Sequence, residues 1–327
     1  MTPRTKIIGT GHSVPERILT NFDLEKMVDT TDQWIIERTG IHERHIKEPE
    51  QNNSDFCVEA SRQALEEAGL GASELDMIIL ATVTGDMRFP STSIFVQARL
   101  GAHNAVVFDI GAACSGFLYA LSIADNMIAT GKYTKILVIG SECMTHVTDW
   151  SDRNTCVLFG DGAGAAVVTK SDSEKGIIAS YMGSDGRLAH LLYSSGGGTV
   201  SPASYESVDN RDHYLKMAGR DVFLHAVKAM GDSAQRALDE AGLTGNDIDL
   251  LIPHQANVRI MDATAKRIGI PREKVVINID RYGNTSAASI PIALNEARRT
   301  GRLLPGMTCL MVVFGGGFTW ASAIVKF

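Results

Sequence analysis

The sequence predicts an α/β protein made of two similar layered halves packed into one compact body. Three observations carry this. Strand and helix signals alternate for most of the length, a long segment returns in diverged form, and no linker or low-complexity tract separates the copies. The run Ala64-Leu65-Glu66-Glu67-Ala68-Gly69-Leu70 reappears 173 positions later as Ala237-Leu238-Asp239-Glu240-Ala241-Gly242-Leu243. Downstream, Val106-Val107-Phe108-Asp109 with the helix stop Thr130-Gly131 answers to Val276-Ile277-Asn278-Ile279-Asp280 with the stop Thr300-Gly301. A repeat of that size is a half-domain rather than a solenoid unit. Halves spanning residues 1–172 and 173–327 are therefore expected.

Taken in order, residues 5–10 form a strand, and 54–69 a helix with cap residues at both ends. Strands follow near 75–83 and 105–109, then a helix from about 114 to 130 stopped by Gly131, then the apolar strand 136–139. Residues 160–168 are a glycine turn leading into a strand. The stretch 194–211, rich in Gly, Ser and Asp, is a surface loop near the junction of the halves. From 218 onward the order of helix and strand is run again, ending in strands at 311–314 and 320–327.

Composition excludes several function classes. Of 327 residues, 44% are hydrophobic and 21% charged, enough apolar material for a substantial core. The net charge of −7 argues against nucleic acid as a general partner, because phosphate binding needs an excess of Lys and Arg. No 18-residue apolar run occurs and the first residues lack a signal-peptide pattern, so no membrane segment and a cytoplasmic location are expected. Five cysteines (Cys57, Cys114, Cys143, Cys156, Cys309) make an odd count without a C-x-x-C pair. Neither a disulfide framework nor a metal site is indicated.

Four segments could carry chemistry. Cys114, in Gly111-Ala112-Ala113-Cys114-Ser115-Gly116, lies between a strand and an apolar helix, where unsatisfied N–H groups and the helix dipole favour a thiolate. By position alone a cysteine there is more often a buried structural thiol. His254 ends the apolar run Leu250-Leu251-Ile252-Pro253, at the strand end where open α/β sheets bind ligands, although a lone histidine is more often structural. Asn284, in Gly283-Asn284-Thr285-Ser286-Ala287-Ala288-Ser289, suits a helix N-cap. Phe314-Gly315-Gly316-Gly317-Phe318 is either a tight turn or a backbone approach to an oxyanion.

Together these segments closely resemble β-ketoacyl-acyl-carrier-protein synthase III of the thiolase superfamily. The likeness also covers Asp32-Gln33-Trp34-Ile35, Arg38-Thr39-Gly40-Ile41 and Phe159-Gly160-Asp161-Gly162-Ala163-Gly164-Ala165, and so runs nearly end to end. The resemblance implies a thiolase-like fold with its duplicated α/β halves in five α-β-α-β-α layers. It implies a catalytic triad of Cys114, His254 and Asn284, with backbone N–H groups of Cys114 and Gly316 as the oxyanion hole. The implied reaction is decarboxylative Claisen condensation of a short acyl-CoA such as acetyl-CoA with malonyl carrier protein, through an acyl-Cys intermediate, with acyl-CoA as substrate and no cofactor. A coenzyme A cleft is implied at Thr30, Trp34, Arg38, Arg153 and Asn257. Carrier-protein contacts are implied at Gln255, Ala256, Asn257, Val258, Arg259, Lys266 and Arg267, the last three basic residues being spaced to share a helix face. Phe89 is implied to close the acyl pocket across a homodimer interface.

The sequence departs from the family pattern at Leu224, where Lys is common, at Arg220, where a small polar residue is common, and at Ala321, where Gly is usual. Rival readings are another acyl-CoA condensing enzyme of the superfamily, of polyketide or quinolone type, and a cysteine thioester hydrolase. A degradative thiolase would need a second cysteine in the C-terminal glycine turn, and Cys309 lies upstream of it. The Gly160–Gly164 run lacks the spacing of a dinucleotide fingerprint.

Overall fold

Strand Met77–Ala81 is buried along its whole length, and its side chains alternate between two apolar cores. Met77, Ile79 and Ala81 enter one; Ile78 and Leu80 enter the other. The same split recurs in the second half. There Leu250 and Ile252 face the shared core while Leu251 faces outward, and in strand Thr308–Gly315 Cys309, Met311 and Val313 oppose Leu310, Val312 and Phe314. Continuous apolar runs with two-sided burial are what a sheet covered on both faces requires.

The computed structural model describes residues 4–327. Its first large sheet has the strand order Arg4–Ser13, Asp161–Ser171, Lys135–Cys143, Met77–Ala81, Val106–Ile110. The second runs Gly176–Ser184, Thr319–Lys326, Thr308–Gly315, Leu250–Pro253, and a single parallel bridge from Leu251 to Val275 stands where a fifth strand would lie. Order and direction match: antiparallel, antiparallel, then parallel. Helices Gly116–Ala129 and Ser289–Arg299 lie between the sheets and share one core with both. Asn53–Ala68 and Thr92–Leu100 cover the outer face of the first sheet, and Gly219–Ala241 with Val258–Arg267 that of the second. The result is the five-layered α-β-α-β-α fold that the sequence reading expected.

Local differences have local reasons. The helix expected from about 114 starts at Gly116, because a 3₁₀ turn, Ala113–Ser115, precedes it. Helix Thr92–Leu100 escaped the sequence reading because its cap is not local. The Asp109 carboxylate, on the neighbouring strand, accepts from the N–H groups of Thr92 (2.6 Å) and Ser93 (2.9 Å). Loop 194–211 is largely exposed as expected, with one short helix, Tyr205–Asp209. Gly162 and Gly164 belong to a strand antiparallel to both neighbours. A Cβ on Gly164 would sit 2.7 Å from the Ile292 nitrogen, so that glycine makes room for a helix and not for a nucleotide.

The two halves grip each other through small residues. A Cβ on Gly140, in strand Lys135–Cys143, would lie 2.3 Å from the Ala287 carbonyl oxygen of the second half. A Cβ on Gly315 would lie 2.9 Å from the Cys114 nitrogen of the first. Gly140→Ala should therefore lower stability by roughly 1–3 kcal/mol through overpacking, while Gly186→Ala, in open space, should leave the chemical denaturation midpoint unchanged.

Candidate active site

Two backbone elbows meet at the centre of the molecule. Ala113 has φ 47° and Ser286 has φ 50°, both in the left-handed region that L side chains avoid. Each opens a 3₁₀ turn that runs into a buried helix, Ala113–Ser115 into Gly116–Ala129 and Ser286–Ala288 into Ser289–Arg299. Within the duplication Cys114 is the counterpart of Ala287, and Asn284 precedes the second elbow by two residues.

Cys114 lines a cavity of about 1610 Å³, together with His254, Asn284, Ser286, Gly315 and Gly316. Its thiol is pushed up to about 11, chiefly by burial, and the nearby Glu142 charge adds to the effect. Ser286 and the backbone N–H groups of Cys114 and Gly316 act in the opposite direction. The resting group is thus a thiol. This corrects the expectation that a helix start would favour the thiolate, because desolvation outweighs the few donors aimed at sulfur. The Cys114 and Gly316 N–H groups converge on Sγ from two halves of the chain.

His254 follows strand Leu250–Pro253 and is buried; its N–H donates to the Val312 carbonyl at 2.8 Å. Burial lowers its pKa to about 3, so the imidazole is neutral. Nδ1 lies 2.6 Å from Ser289 Oγ. In the first half the equivalent pair is Ala81 against Gly116, which pack without any hydrogen bond. Asn284 does not cap helix Ser289–Arg299, as its sequence position suggested. Its Oδ1 instead accepts from the Ser286 N–H at 2.9 Å, which turns the NH₂ toward the cavity. His254 and Asn284 are both uncharged; with the Ser289 hydroxyl donating to Nδ1, the imidazole presents an Nε2–H to a ligand, as Asn284 presents its NH₂.

The outer part of the cavity is cationic in an acidic protein. Arg38, Arg88, Arg220 and Arg259 line it, with Asp86 as a counter-charge. The Arg38 guanidinium lies over the Trp34 ring at 4.8 Å and that of Arg153 at 5.3 Å, so three of the five residues expected to form a cleft are together. Arg153 is also tied to the Asp29 carbonyl oxygen at 2.8 Å. Thr30 Oγ1 is buried without a partner, whereas its neighbour Thr31 caps helix Asp32–Thr39 by accepting from Trp34 N–H. Asn257 donates to the Arg38 carbonyl at 2.8 Å and caps helix Val258–Arg267.

Several expected surface contacts are redistributed. Gln255 is 1% exposed, donates to the Pro253 and Val276 carbonyls and accepts from Asn278 and Ile279 N–H. It is a buried staple and not a carrier contact. Val258 packs on Gly40 and the neighbouring core. Ala256 and Arg259 line the cavity; Lys266 lies beside a separate shallow dent with Arg272, and Arg267 is paired with Asp232. All three basic residues are exposed on helix Val258–Arg267. Phe89 is 86% exposed and leaves the cavity of its own chain open.

Comparison with known proteins agrees with this geometry. Residues 108–186 match the family model 3-oxoacyl-[acyl-carrier-protein] synthase III, and residues 238–327 match that of its C-terminal part. A β-ketoacyl-[acyl-carrier-protein] synthase III of Caldanaerobacter subterraneus is 55% identical over 320 residues, covering 98% of this chain and 97% of that protein. The chain belongs to the β-ketoacyl-[acyl-carrier-protein] synthase III family. It is an acyltransferase that forms carbon–carbon bonds. The crystal structure of 3-oxoacyl-[acyl-carrier-protein] synthase III from Aquifex aeolicus superposes with TM-score 0.92 at 49% identity, covering 99% of this chain and all of that one. A priming β-ketosynthase of the R1128 polyketide pathway gives TM-score 0.92 at 38% identity, covering 99% and 97%.

For this synthase III, sequence reasoning missed Ser286, Ser289 and Glu142. The first two sit inside the Asn284 motif, but only the fold shows that Ser286 reaches Cys114 and Ser289 reaches His254. Because burial holds His254 neutral, its ring resonances should show no protonation between about pH 8 and 5, around the ordinary value of 6.5. A midpoint near that ordinary value in an NMR titration would contradict the neutral imidazole.

Proposed function

We propose that this enzyme condenses a short acyl-CoA with malonyl carrier protein, in the first elongation step of fatty acid synthesis, with Cys114 carrying the acyl group. The observation that supports this most is the pairing of a cavity-facing thiol with two neutral side-chain donors. Cys114 attacks the thioester, and the N–H groups of Cys114 and Gly316 receive the developing oxyanion. When the malonyl thioester loses CO₂, negative charge moves onto the thioester oxygen. His254 and Asn284 stabilise it without releasing a proton, since imidazole neutral down to about pH 3 is not an acid that quenches the carbanion. Claisen attack on the acyl-Cys then forms the carbon–carbon bond.

Trp34, Arg38 and Arg153 offer an aromatic face and guanidinium planes for an adenine and its phosphates, and the cationic rim suits anionic substrates. Cys309 has no part: it is buried at the start of strand Thr308–Gly315, the far end from the glycine turn, and burial raises its thiol pKa.

A homodimer fits the first sheet's edge. Strand Val106–Ile110 pairs on one side alone, with Val106 half exposed, and Ile94, Met87 and Phe89 are also exposed. Pairing there would cover these side chains, and the proposed role of Phe89 in closing the partner's acyl pocket rests on that pairing. No described helix is long and apolar enough to cross a membrane, and a cytoplasmic location is proposed on that footing.

Incubation with acetyl-CoA should add an acetyl mass to the wild type, to His254→Ala and to Asn284→Ala, but not to Cys114→Ala. Condensation should fall roughly 10²–10³-fold in the His254 and Asn284 variants, the effect of losing one such donor. Equal loss of acylation and condensation in them would refute the division of roles. Phe89→Thr should extend turnover to longer acyl-CoAs by about tenfold or more, since overpacking of a pocket end costs roughly 1–3 kcal/mol. Wild-type turnover of dodecanoyl-CoA equal to that of acetyl-CoA would refute this.

A further inference from the structure

Behind the second elbow lies a carboxylate with no assigned task. Glu142, on strand Lys135–Cys143, is fully buried. Its oxygens accept from the Val83 N–H (3.2 Å) and from the hydroxyls of Thr82 (3.2 Å) and Thr84. Ser286 Oγ stands 3.4 Å from Glu142 Oε1 and 3.3 Å from Cys114 Sγ. One hydroxyl proton can serve only one of these acceptors at a time. The Ser286 hydroxyl is within reach of both acceptors, so it can donate to Glu142 while a thiol donates to Oγ, and turn to sulfur when a thiolate forms. The buried elbow, with Ser286 at φ 50°, fixes the hydroxyl between the two groups.

Resting on the acyl-Cys reading above, we infer that Ser286 and Glu142 form a proton relay that removes the Cys114 proton during acylation. As the Sγ–carbon bond forms and the thioester's carbon–sulfur bond breaks, the Sγ proton passes to Ser286 Oγ and the Ser286 proton to Glu142 Oε1. Coenzyme A departs as the thiolate and takes a proton from water. When condensation later expels Cys114 as thiolate, the proton returns along the same path.

Three observations favour this route. The thiol is held at about 11 by burial, so attack at neutral pH needs a base. His254 has its pKa lowered to about 3 and makes no hydrogen bond to Cys114 among the described residues, whereas Ser286 touches sulfur directly. Burial raises Glu142 to about 7, against its hydrogen bonds, which suits a group that accepts and returns a proton. The ionisable groups coupled to it are the thiols of Cys57, Cys114 and Cys143. Asp86 and Asp109 act on the first of these, Asp161 and Lys47 on the last.

The test is single-turnover acylation of the full-length protein by acetyl-CoA, followed by intact mass from about pH 5.5 to 9. The wild-type rate should rise with an ionisation near that of Glu142. Ser286→Ala, Ser286→Gly and Glu142→Gln should each slow acylation about a hundredfold or more and lose that rise, following the thiol's own ionisation instead. Glycine at 286 accepts the positive φ, which provides a folded variant without the hydroxyl. Variants within threefold of wild type, or with an unchanged pH profile, would overturn the relay. A wild type that never gains the acetyl mass would overturn the condensing assignment itself, so the two failures are distinguishable.

Discussion

The structure depends on one reciprocal contact: each elbow presses its backbone onto a glycine in the central strand of the other half. Ala287 meets Gly140, and Cys114 meets Gly315, at distances that leave no room for a Cβ. Backbone cannot yield as a flexible side chain can, so these contacts fix the register between the halves to a fraction of an ångström. They also hold Ala113 and Ser286 at positive φ, a local cost that the packed core on both sides sustains. Cys114, Ser286 and the Gly316 N–H are brought together by this contact and by no local sequence preference.

Burial then decides the electrostatics. Within the same few ångströms a thiol is raised, an imidazole is lowered and a carboxyl is raised, in each case mainly because the charged form loses its water. All three groups are driven toward neutrality. A site of uncharged donors around a masked nucleophile is suited to chemistry in which charge appears only in the transition state. The cations sit instead at the mouth, where Arg38, Arg88, Arg220 and Arg259 remain solvated and can meet anionic substrates without desolvation.

Duplication supplied the frame, and divergence supplied the chemistry. The pair Ala81 and Gly116 in the first half, two small residues in contact, corresponds to His254 and Ser289 in the second, a hydrogen-bonded pair. The nucleophile arose on one elbow and the hydroxyl beside it on the other.

The duplication and the α/β alternation were legible in the sequence, and Cys114, His254, Asn284 and the glycine turn at 315–317 stood out as candidates at strand ends, because strand periodicity and glycine-rich turns are local signals; their roles came from the family resemblance alone. Trp34 with Arg38 and Arg153 was legible only through the family resemblance. Sequence position alone did not reveal that the Gln255 amide atoms are already spent on neighbouring backbone, since a turn position next to a motif says nothing about its distant partners. The ion pair of Arg267 was likewise not visible in the sequence, its partner Asp232 lying on another helix. Only the tertiary structure decided the protonation states, the Ser286 and Ser289 contacts and the position of Glu142. Each of these depends on desolvation and on approaches between segments up to 172 residues apart, and neither is encoded by any local run of the chain.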